Sequence, residues 1–398
     1  MDAPMTDLHG FADEGFGSVA DAFRAHFDHG LETGAAVAVY HHGRLVIDLH
    51  AGLADATTGA PWTRDTLAVM FSATKGLMAL CGYLAQQDGL LDFDTPVTTL
   101  WPEYGAHGKE ATTIRDVFCH RAGVVALDTE LTLADLTRWT PVITAIENTR
   151  PQFTPGTTFA YHPLTYGWLT GEILRRATGK LPGALLEHYL AAPLAAQAWI
   201  GVPDHVQPRV ARITPAPADT SSQAAELMRK VLAMPTFIRA VTLGGLLPAR
   251  LIDPGSTLDF NSPALHAAQI PAANGITAAG DLARIYSAAV TPTDGRTPLL
   301  TKESITDACT VRSHGTSWPG VVAQPGIRYS TGFLLNGFPA RPLLSDTSFG
   351  HDGANGGLAF ADSDAHLGFA YLNNQLPPMD DERANRLTRA LRHALDRL

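Results

Sequence analysis

The sequence is poor in charge and cysteine and has no long apolar run. Charged residues make up 17% of the 398 residues, against roughly 25% in a typical soluble domain. No apolar run reaches the roughly 18 residues of a bilayer-spanning helix, so no membrane segment is expected. Cys81, Cys119 and Cys309 are far apart in apolar surroundings, which is typical of reduced, buried thiols. Because the opening residues also lack a basic segment followed by an apolar one, the sequence predicts a cytoplasmic protein.

Absent motifs exclude further function classes. The net charge is −10 and no Lys/Arg cluster occurs, so neither nucleic acid nor an anionic membrane surface is an expected partner. There is no Gly-x-Gly-x-x-Gly or P-loop lysine, and no His, Cys, Asp or Glu group stands at metal spacing, so we expect no cofactor and no metal. The Gly-x-Ser-x-Gly pentapeptide is also missing, which argues against an α/β-hydrolase fold. These absences leave a compact acidic protein with a small-molecule substrate.

Apolar spacing predicts an α+β fold of two lobes. The predicted helices lie at 19–31, 71–87, 113–118, 164–178, 181–192, 276–290 and 380–398. The predicted strands are a hairpin of 35–40 and 45–49 and later runs at 329–335, 357–361 and 367–372. We expect an antiparallel sheet flanked by the N- and C-terminal helices, built from residues 1–93 and 274–398. Residues 94–273 then form an inserted all-α lobe, and a ligand site is expected at the interface of the two lobes.

The most specific chemical pattern is Ser72-Ala-Thr-Lys75 at the start of a predicted helix. The chain has five lysines, and only Lys75 stands three residues after a serine. Residues at i and i+3 share a helix face, so the amine can reach the hydroxyl. A serine becomes a good nucleophile when a neighbouring base takes its proton, and burial at a helix start favours the neutral amine that this requires. The alternative interpretation is a serine that only caps the helix.

Two later segments add candidate residues. Tyr161 follows a Pro-Gly turn and precedes a helix, where its hydroxyl can lie at a rim; the alternative is a packed aromatic ring. The segment Gly350-His-Asp-Gly-Ala-Asn-Gly-Gly357 precedes a predicted strand. Glycines at this density let backbone amides approach a ligand closely, although a simple turn has the same composition.

In this order, the three elements resemble the serine β-lactamase and penicillin-binding-protein superfamily. The chain is most similar to the class C β-lactamase-like branch that includes the family VIII carboxylesterases. The likeness extends over nearly the whole chain, and residues 271–276, Pro-Ala-Ala-Asn-Gly-Ile, are similar to a segment of the esterase-like members. The resemblance implies a β-lactamase/transpeptidase-like fold with its active site between the lobes.

The resemblance also implies roles for individual residues. Ser72 is expected to form an acyl-enzyme, with Lys75 as the base near it. Tyr161 is expected to pass the proton to the leaving alkoxide and later to activate water. The amides of Ser72 and of Ala354, which follows Gly353, are expected to form the oxyanion hole.

Two departures from the family pattern bear on the substrate. His351 stands where β-lactamases and penicillin-binding enzymes have the lysine of Lys-x-Gly, and Pro163 stands where they have an asparagine after the tyrosine or serine. A histidine is mostly neutral at pH 7 and a proline donates no hydrogen bond. The expected substrate is therefore a neutral ester with a short or medium acyl chain, and the expected activity is that of a carboxylesterase.

Several alternatives stay open at this level. His162 and Trp318 are candidate pocket residues, and the apolar stretch from Ala224 to Ile252 is either a packed helical cap or a flexible, Met-containing wall over an acyl pocket. His120 is interpreted as part of a structural turn. An acyltransferase, an amide hydrolase or a β-lactamase would share the acyl-enzyme, and a catalytically silent binding domain would share only the fold.

Overall fold

A computed structural model describes residues 7–216, 223, 226, 229–231, 233–253, 255–378 and 380–398 of the chain. Within these residues, ten strands form one antiparallel sheet and three short strands form a second. In chain order the strands are β1 His9–Ala12, β2 Gly34–His41, β3 Arg44–Asp55, β4 Ala60–Pro61, β5 Ala68–Val69, β6 Ala198–Ile200, β7 Gly275–Thr277, β8 Ser313–His314, β9 Arg328–Tyr329, β10 Leu334–Leu335, β11 Ser348–Asp352, β12 Leu358–Asp362 and β13 Leu367–Asn373.

The large sheet has the order β1-β3-β2-β13-β12-β11-β10-β9-β8, with β4 paired to β3. The first hairpin therefore lies beside the last strands of the chain, and β2 pairs with β13 from Leu367↔His41 to Asn373↔Ala35. This arrangement confirms the predicted fold class, an antiparallel sheet flanked by the helices at the two ends of the chain.

Alternating side chains of β2 divide the core between the two faces of this sheet. Val37 and Val39 pack with the terminal helices Gly17–Asp28 and Arg383–Leu395, whereas Ala38 belongs to the larger cluster on the opposite face. Successive strand residues point to opposite faces, so an uninterrupted apolar strand can fill both layers.

The remaining helices lie between β5 and β8 in sequence. Their bounds are Thr74–Gln87, Ile114–Phe118, Leu133–Arg138, Thr140–Asn148, Thr165–Thr178, Pro182–Leu186, Ala192–Leu194, Pro235–Thr242, Pro263–Ala267, Ala279–Val290 and Lys302–Ala308. Short 3-10 segments include Phe71–Ala73, Val97–Thr99, Pro102–Gly105, Gln207–Arg209 and Leu243–Gly245, and Glu187–Ala191 is a π-helical turn. No helix in these described ranges is long and apolar enough to cross a bilayer.

Three predicted elements differ from the observed ones. No strand is predicted over 348–352, yet the glycine-rich segment begins within β11, Ser348–Asp352, which pairs with both β10 and β12. The run predicted as a strand at 329–335 is interrupted between β9 and β10, where Ser330 N donates to the carbonyl of Phe333. Ile276, predicted in a helix, lies in β7. β7 pairs with β5 and β6, both distant in sequence, and such pairing overrides a local helix preference. The lobe boundaries at residues 93 and 274 stay a prediction.

The small sheet brings the middle of the chain to the start of the Thr74–Gln87 helix. β7 pairs with β5 and β6, and Met70 N donates to the carbonyl of Gly275 at 2.9 Å. Gly275 N in turn donates to Thr74 Oγ1 at 2.9 Å, and a Cβ on Gly275 would lie 2.6 Å from that oxygen. Only a glycine fits this contact, which fixes the turn that carries Ser72.

Candidate active site

Ser72 lies at a sharp turn from strand to helix. β5 ends at Val69, and Ser72 is the middle residue of the 3-10 segment Phe71–Ala73, which continues into the Thr74–Gln87 helix. Phe71 has φ +45°, a left-handed conformation that costs a non-glycine residue about 1–3 kcal/mol. The turn leaves Ser72 half-buried, with its hydroxyl reachable from a cavity.

Two side chains hydrogen-bond to the Ser72 oxygen. Lys75 Nζ lies 3.1 Å from Ser72 Oγ, and the Tyr161 hydroxyl donates to the same oxygen at 2.7 Å. Lys75 Nζ also lies 4.8 Å from the centre of the Tyr161 ring. A serine oxygen is therefore placed between an amine and a phenol, with both close enough to exchange protons with it.

The surroundings of Lys75 favour its neutral form. Its side chain is fully buried, and Nζ donates to the carbonyls of Pro163 and Ala272, each at 2.9 Å. Burial lowers the pKa of Lys75 well below the ordinary value of 10.5, against an opposing effect of Asp352. A neutral amine has two N–H groups, which match the two carbonyls, and the remaining lone pair is left for the Ser72 hydroxyl.

Tyr161 is held in an aromatic environment that keeps its phenol protonated. Its ring lies 4.9 Å from that of His120 and stacks on Tyr329 at 6.2 Å. Burial raises the pKa of Tyr161 above its ordinary range, although the hydrogen bond to Ser72 opposes the shift. The phenol is therefore a proton donor over the whole neutral range.

Three buried histidines surround the tyrosine. The backbone N–H of His162 donates to His120 Nδ1 at 3.1 Å, and His351 Nδ1 lies 2.9 Å from the carbonyl oxygen of Asp352. Burial lowers the pKa of His162 to about 4 and that of His120 well below its ordinary value, with Lys75 adding to both shifts. His120 and His162 are thus uncharged and add no positive charge beside the Lys75 amine.

The glycine-rich loop 353–357 packs against the turn that carries Ser72. Gly353 N donates to the carbonyl of Gly357 at 2.8 Å, and Gly356 N donates back to that of Gly353 at 2.9 Å. A Cβ on Gly353 would lie 2.6 Å from the carbonyl oxygen of Met70. The loop backbone therefore packs directly on the residues before Ser72, and Ala354 lines the same cavity as the serine.

That cavity has a volume of about 360 Å³ and an apolar wall. The described side chains around it include no charged group, and its polar ones belong to Ser72, Tyr161 and Gln324. Its apolar lining residues are Phe71, Pro163, Leu164, Val231, Phe237, Val241, Leu251, Phe260, Ala273, Val321, Val322 and Ala354. A site of this kind binds an uncharged, largely apolar ligand, with few groups to orient it.

Comparison with known proteins places this geometry in a family. The family model described as Beta-lactamase matches residues 23–393 of the chain. This chain belongs to the beta-lactamase family. Like other members, this beta-lactamase family protein is a serine hydrolase.

Several relatives of this beta-lactamase family chain carry esterase names. Esterase/beta-lactamase LipL of Mycobacterium tuberculosis is 32% identical over 381 residues, which cover 93% of this chain and 83% of LipL. The crystal structure of a family VIII carboxylesterase is 30% identical with a TM-score of 0.84, covering 98% of this chain and all of that one. A penicillin-binding protein homolog from Caulobacter crescentus is also 30% identical, with a TM-score of 0.82 and coverage of 98% and 100%.

Most of the predicted site residues of this beta-lactamase family chain lie close together, but not all of them line the cavity. Of the five predicted pocket residues, Ala354 lines the cavity, whereas Gly353, His351 and His162 lie next to it in the loop and the histidine cluster. Trp318 packs in a small cluster with Phe153 and Val321 instead of lining the cavity. The smaller apolar side chain of Val321 occupies that part of the wall.

The apolar stretch from Ala224 to Ile252 contributes to the wall. Val231, Phe237, Val241 and Leu251 line the cavity, and the helix Pro235–Thr242 carries two of them. Met228 and Leu232, also part of the predicted wall, lie outside the described residues. The described part of this stretch is thus both a helical cap and a wall of the cavity.

The groups that hold Lys75 were not among the residues predicted from the sequence. The carbonyls of Pro163 and Ala272 act through the backbone, so no residue type signals them, although the resemblance of residues 271–276 to esterase segments marked the second. Asn274 in that segment is fully buried and bonds Ile270 N, Leu265 O and Ala268 O, which fixes the turn that carries the Ala272 carbonyl.

Proposed function

We propose that this chain is a carboxylesterase that hydrolyses neutral esters with short or medium acyl chains through an acyl-enzyme on Ser72. The observation that carries the proposal is the Ser72 hydroxyl, which contacts Lys75 Nζ at 3.1 Å and the Tyr161 hydroxyl at 2.7 Å in the wall of an apolar cavity. The substrate is a small molecule, and the protein acts in the cytoplasm, where its three free thiols stay reduced.

Acylation begins with the neutral amine of Lys75. The amine takes the Ser72 proton while Oγ bonds to the ester carbonyl carbon, and the carbonyl electron pair moves to the oxygen. The amides of Ser72 and Ala354 donate hydrogen bonds to that oxyanion, and the first amides of a helix have no acceptor within it. When the carbon–alkoxide bond breaks, Tyr161 gives its proton to the alkoxide, and Lys75 returns a proton to the phenolate.

Deacylation uses the same groups in the reverse sense. A water molecule takes the place of the departed alcohol, and its proton passes to Lys75 by way of Tyr161 as its oxygen bonds to the acyl carbon. Ser72 leaves as the alkoxide and takes back the proton. The low pKa of Lys75 and the high pKa of Tyr161 suit a base and an acid of these kinds.

The charges around the site support an uncharged substrate. The cavity wall carries no charged side chain among the described residues, and His351 is buried, with Nδ1 facing the Asp352 carbonyl. Burial opposes ionisation of Asp352, but its hydrogen bond to His351 and the charge of Arg341 keep the pKa of that carboxyl below the usual range. The described cavity wall therefore offers no cationic partner to a substrate carboxylate, which disfavours an acidic substrate.

The proposal is tested with p-nitrophenyl esters from acetate to laurate, beside a chromogenic cephalosporin. We expect turnover that is highest at short or medium chains and little or no cephalosporin hydrolysis. Ser72→Ala should abolish turnover and labelling by a fluorophosphonate, with the adduct on Ser72 in the wild type by mass spectrometry. Tyr161→Phe keeps the ring packing and should lose about 100- to 10,000-fold in kcat/KM. Ester turnover that survives in Ser72→Ala would refute the acyl-enzyme.

The same assay separates the alternatives. Transfer of the acyl group to an added alcohol or amine faster than to water would make the chain an acyltransferase, and faster cephalosporin turnover would make it a β-lactamase. A protein that neither turns over esters nor reacts with the fluorophosphonate would be a binding domain.

A further inference from the structure

The loop that carries Ala354 rests on a buried arginine of the last helix. Arg383 Nη2 donates to the carbonyl of Asn355 at 3.0 Å, one residue after Ala354. The Arg383 side chain is 1% exposed, and it comes from the first position of the Arg383–Leu395 helix. A guanidinium is costly to bury unless hydrogen bonds and opposite charges compensate for the lost hydration.

The other N–H groups of Arg383 donate to carboxylates and a backbone carbonyl outside the loop. Nη1 pairs with Glu32 at 2.9 Å and Nε with Asp381 at 2.8 Å. Both terminal nitrogens also donate to the carbonyl of Gln375 at 3.2 Å. Two buried carboxylates hold the guanidinium in one orientation, because a bidentate planar group has little freedom once its partners are fixed.

The loop backbone lies directly on this ion pair. Gly356 has φ +85°, and a Cβ on it would clash with Asp381 Oδ2 and lie 2.8 Å from Arg383 Nη2. The side chain of Asn355 is fully buried and donates to the carbonyl of Asn373 at 2.9 Å. The loop is therefore fixed by three contacts: its backbone lies on Arg383, the side chain of Asn355 is buried, and Gly353 packs on Met70.

We propose that Arg383 is a positioning residue for the oxyanion hole, holding the Asn355 carbonyl so that the Ala354 amide faces the same point as the Ser72 amide. This inference rests on the proposed function. Arg383 does not touch the cavity, so it acts through the loop. An oxyanion donor works only within a narrow range of distance and angle, and the loss of one donor costs about 100- to 1,000-fold in kcat.

The inference is tested with Arg383→Lys, which keeps a positive charge for Glu32 and Asp381 but lacks the second arm that reaches Asn355. The readout is the ratio of kcat/KM for a p-nitrophenyl ester to that for its thionoester, because sulfur accepts hydrogen bonds poorly and the ratio reports the oxyanion hole. We expect kcat for the oxoester to fall about 10- to 100-fold with KM nearly unchanged, and the ratio to fall by a similar factor.

Two further variants separate positioning from folding. Arg389→Lys alters an arginine of the same helix that pairs with Glu382 and is 55% exposed, and it should leave both kcat and the ratio unchanged. Gly356→Ala moves the loop without removing the arginine and should lower the ratio as Arg383→Lys does. If Arg383→Lys does not fold, Gly356→Ala still tests the contact between the loop and the arginine, because its new methyl group would lie 2.8 Å from Arg383 Nη2, and an unchanged ratio overturns the role.

The outcomes also distinguish this inference from the proposed function. An active wild type with an unchanged ratio in folded Arg383→Lys, or in Gly356→Ala, overturns the positioning role alone. If the wild type hydrolyses no ester but reacts with the fluorophosphonate, the labelling rate replaces turnover, and a 10-fold or larger decrease in Arg383→Lys with none in Arg389→Lys supports the role. A wild type that shows neither reaction overturns both proposals.

Discussion

The carbonyl oxygen of Pro163 accepts a hydrogen bond from Lys75 Nζ at 2.9 Å. A proline has no backbone donor, so in addition to its ring in the cavity wall it gives the site this acceptor. With the carbonyl of Ala272 on the other side, also at 2.9 Å, it orients a neutral amine toward Ser72. The residue that departs from the family pattern is therefore part of the device that aligns the base.

The first prediction concerns this base. Lys75→Met keeps the length of the side chain but removes the amine, and kcat/KM for a p-nitrophenyl ester should fall about 100- to 10,000-fold. Lys109→Met is the matched control, because Lys109 is also a buried lysine that donates to two carbonyls, those of Glu147 and Thr149. It should lower the denaturation midpoint without changing kcat/KM of the folded protein. Equal loss of activity in both variants would show that Lys75 acts only on stability.

The second prediction is a one-sided pH profile. Lys75 must be neutral to act as a base, and burial lowers its pKa well below 10.5. Activity should therefore rise as the pH increases through that lowered pKa and then stay level. Burial raises the pKa of Tyr161, so no decrease is expected up to the ordinary phenol pKa of about 10. The measurement is kcat/KM between pH 5 and 9.5, and a decrease above pH 8 in a stable protein contradicts the assignment.

The third prediction concerns the contact of the glycine-rich loop with the serine turn. Gly353→Ala places a methyl group 2.6 Å from the Met70 carbonyl oxygen, so the loop must move away from Ser72. We expect kcat/KM to fall about 100-fold, since a displaced donor no longer faces the oxyanion. Gly280→Ala is the control, because no atom of the described residues lies within 4 Å of its new Cβ and alanine favours a helix. Normal activity in Gly353→Ala would mean that the loop does not contribute an oxyanion donor.

The fourth prediction is acid destabilisation through His26. Its ring is buried between Phe23 and Tyr371, and neither ring nitrogen has a hydrogen-bond partner among the described residues. Burial, with the charges of Arg383 and Arg386, lowers its pKa to about 4. The unfolded chain therefore takes up the proton first, so this stability is present above pH 6.5 and is lost as the pH falls from there toward 4. The loss is about 2 kcal/mol by pH 5.

Urea unfolding at pH 7 and pH 5 measures that effect. His26→Phe replaces the ring by one that cannot be protonated, and its unfolding free energy should decrease less between the two pH values than that of the wild type. The exposed His205 provides the control His205→Gln, which should behave as the wild type does. An unchanged pH dependence in His26→Phe would assign the acid sensitivity to other groups.

The elements that could be predicted are those with a local signal. The hairpin of β2 and β3, the Thr74–Gln87 helix and both terminal helices follow from apolar spacing within one segment. β11 was not predicted as a strand, because its residues belong to a glycine-rich segment and the strands that pair with it, β10 and β12, are separate segments. Trp318 was expected at the cavity, yet which apolar side chain reaches a shared wall depends on the packing of several elements.

The reactive groups follow from residue identity, because a serine, a lysine and a tyrosine in a specific order can be identified in the chain without its fold. How these groups are held depends on contacts that the folded chain makes between distant segments. Lys75 and Ala272 are 197 residues apart, and Arg383 and Asn355 are 28 apart. In each pair a backbone carbonyl is the acceptor, and every residue has one. The residue type therefore does not indicate which backbone carbonyl has such a role, because the role depends on where the fold places that carbonyl.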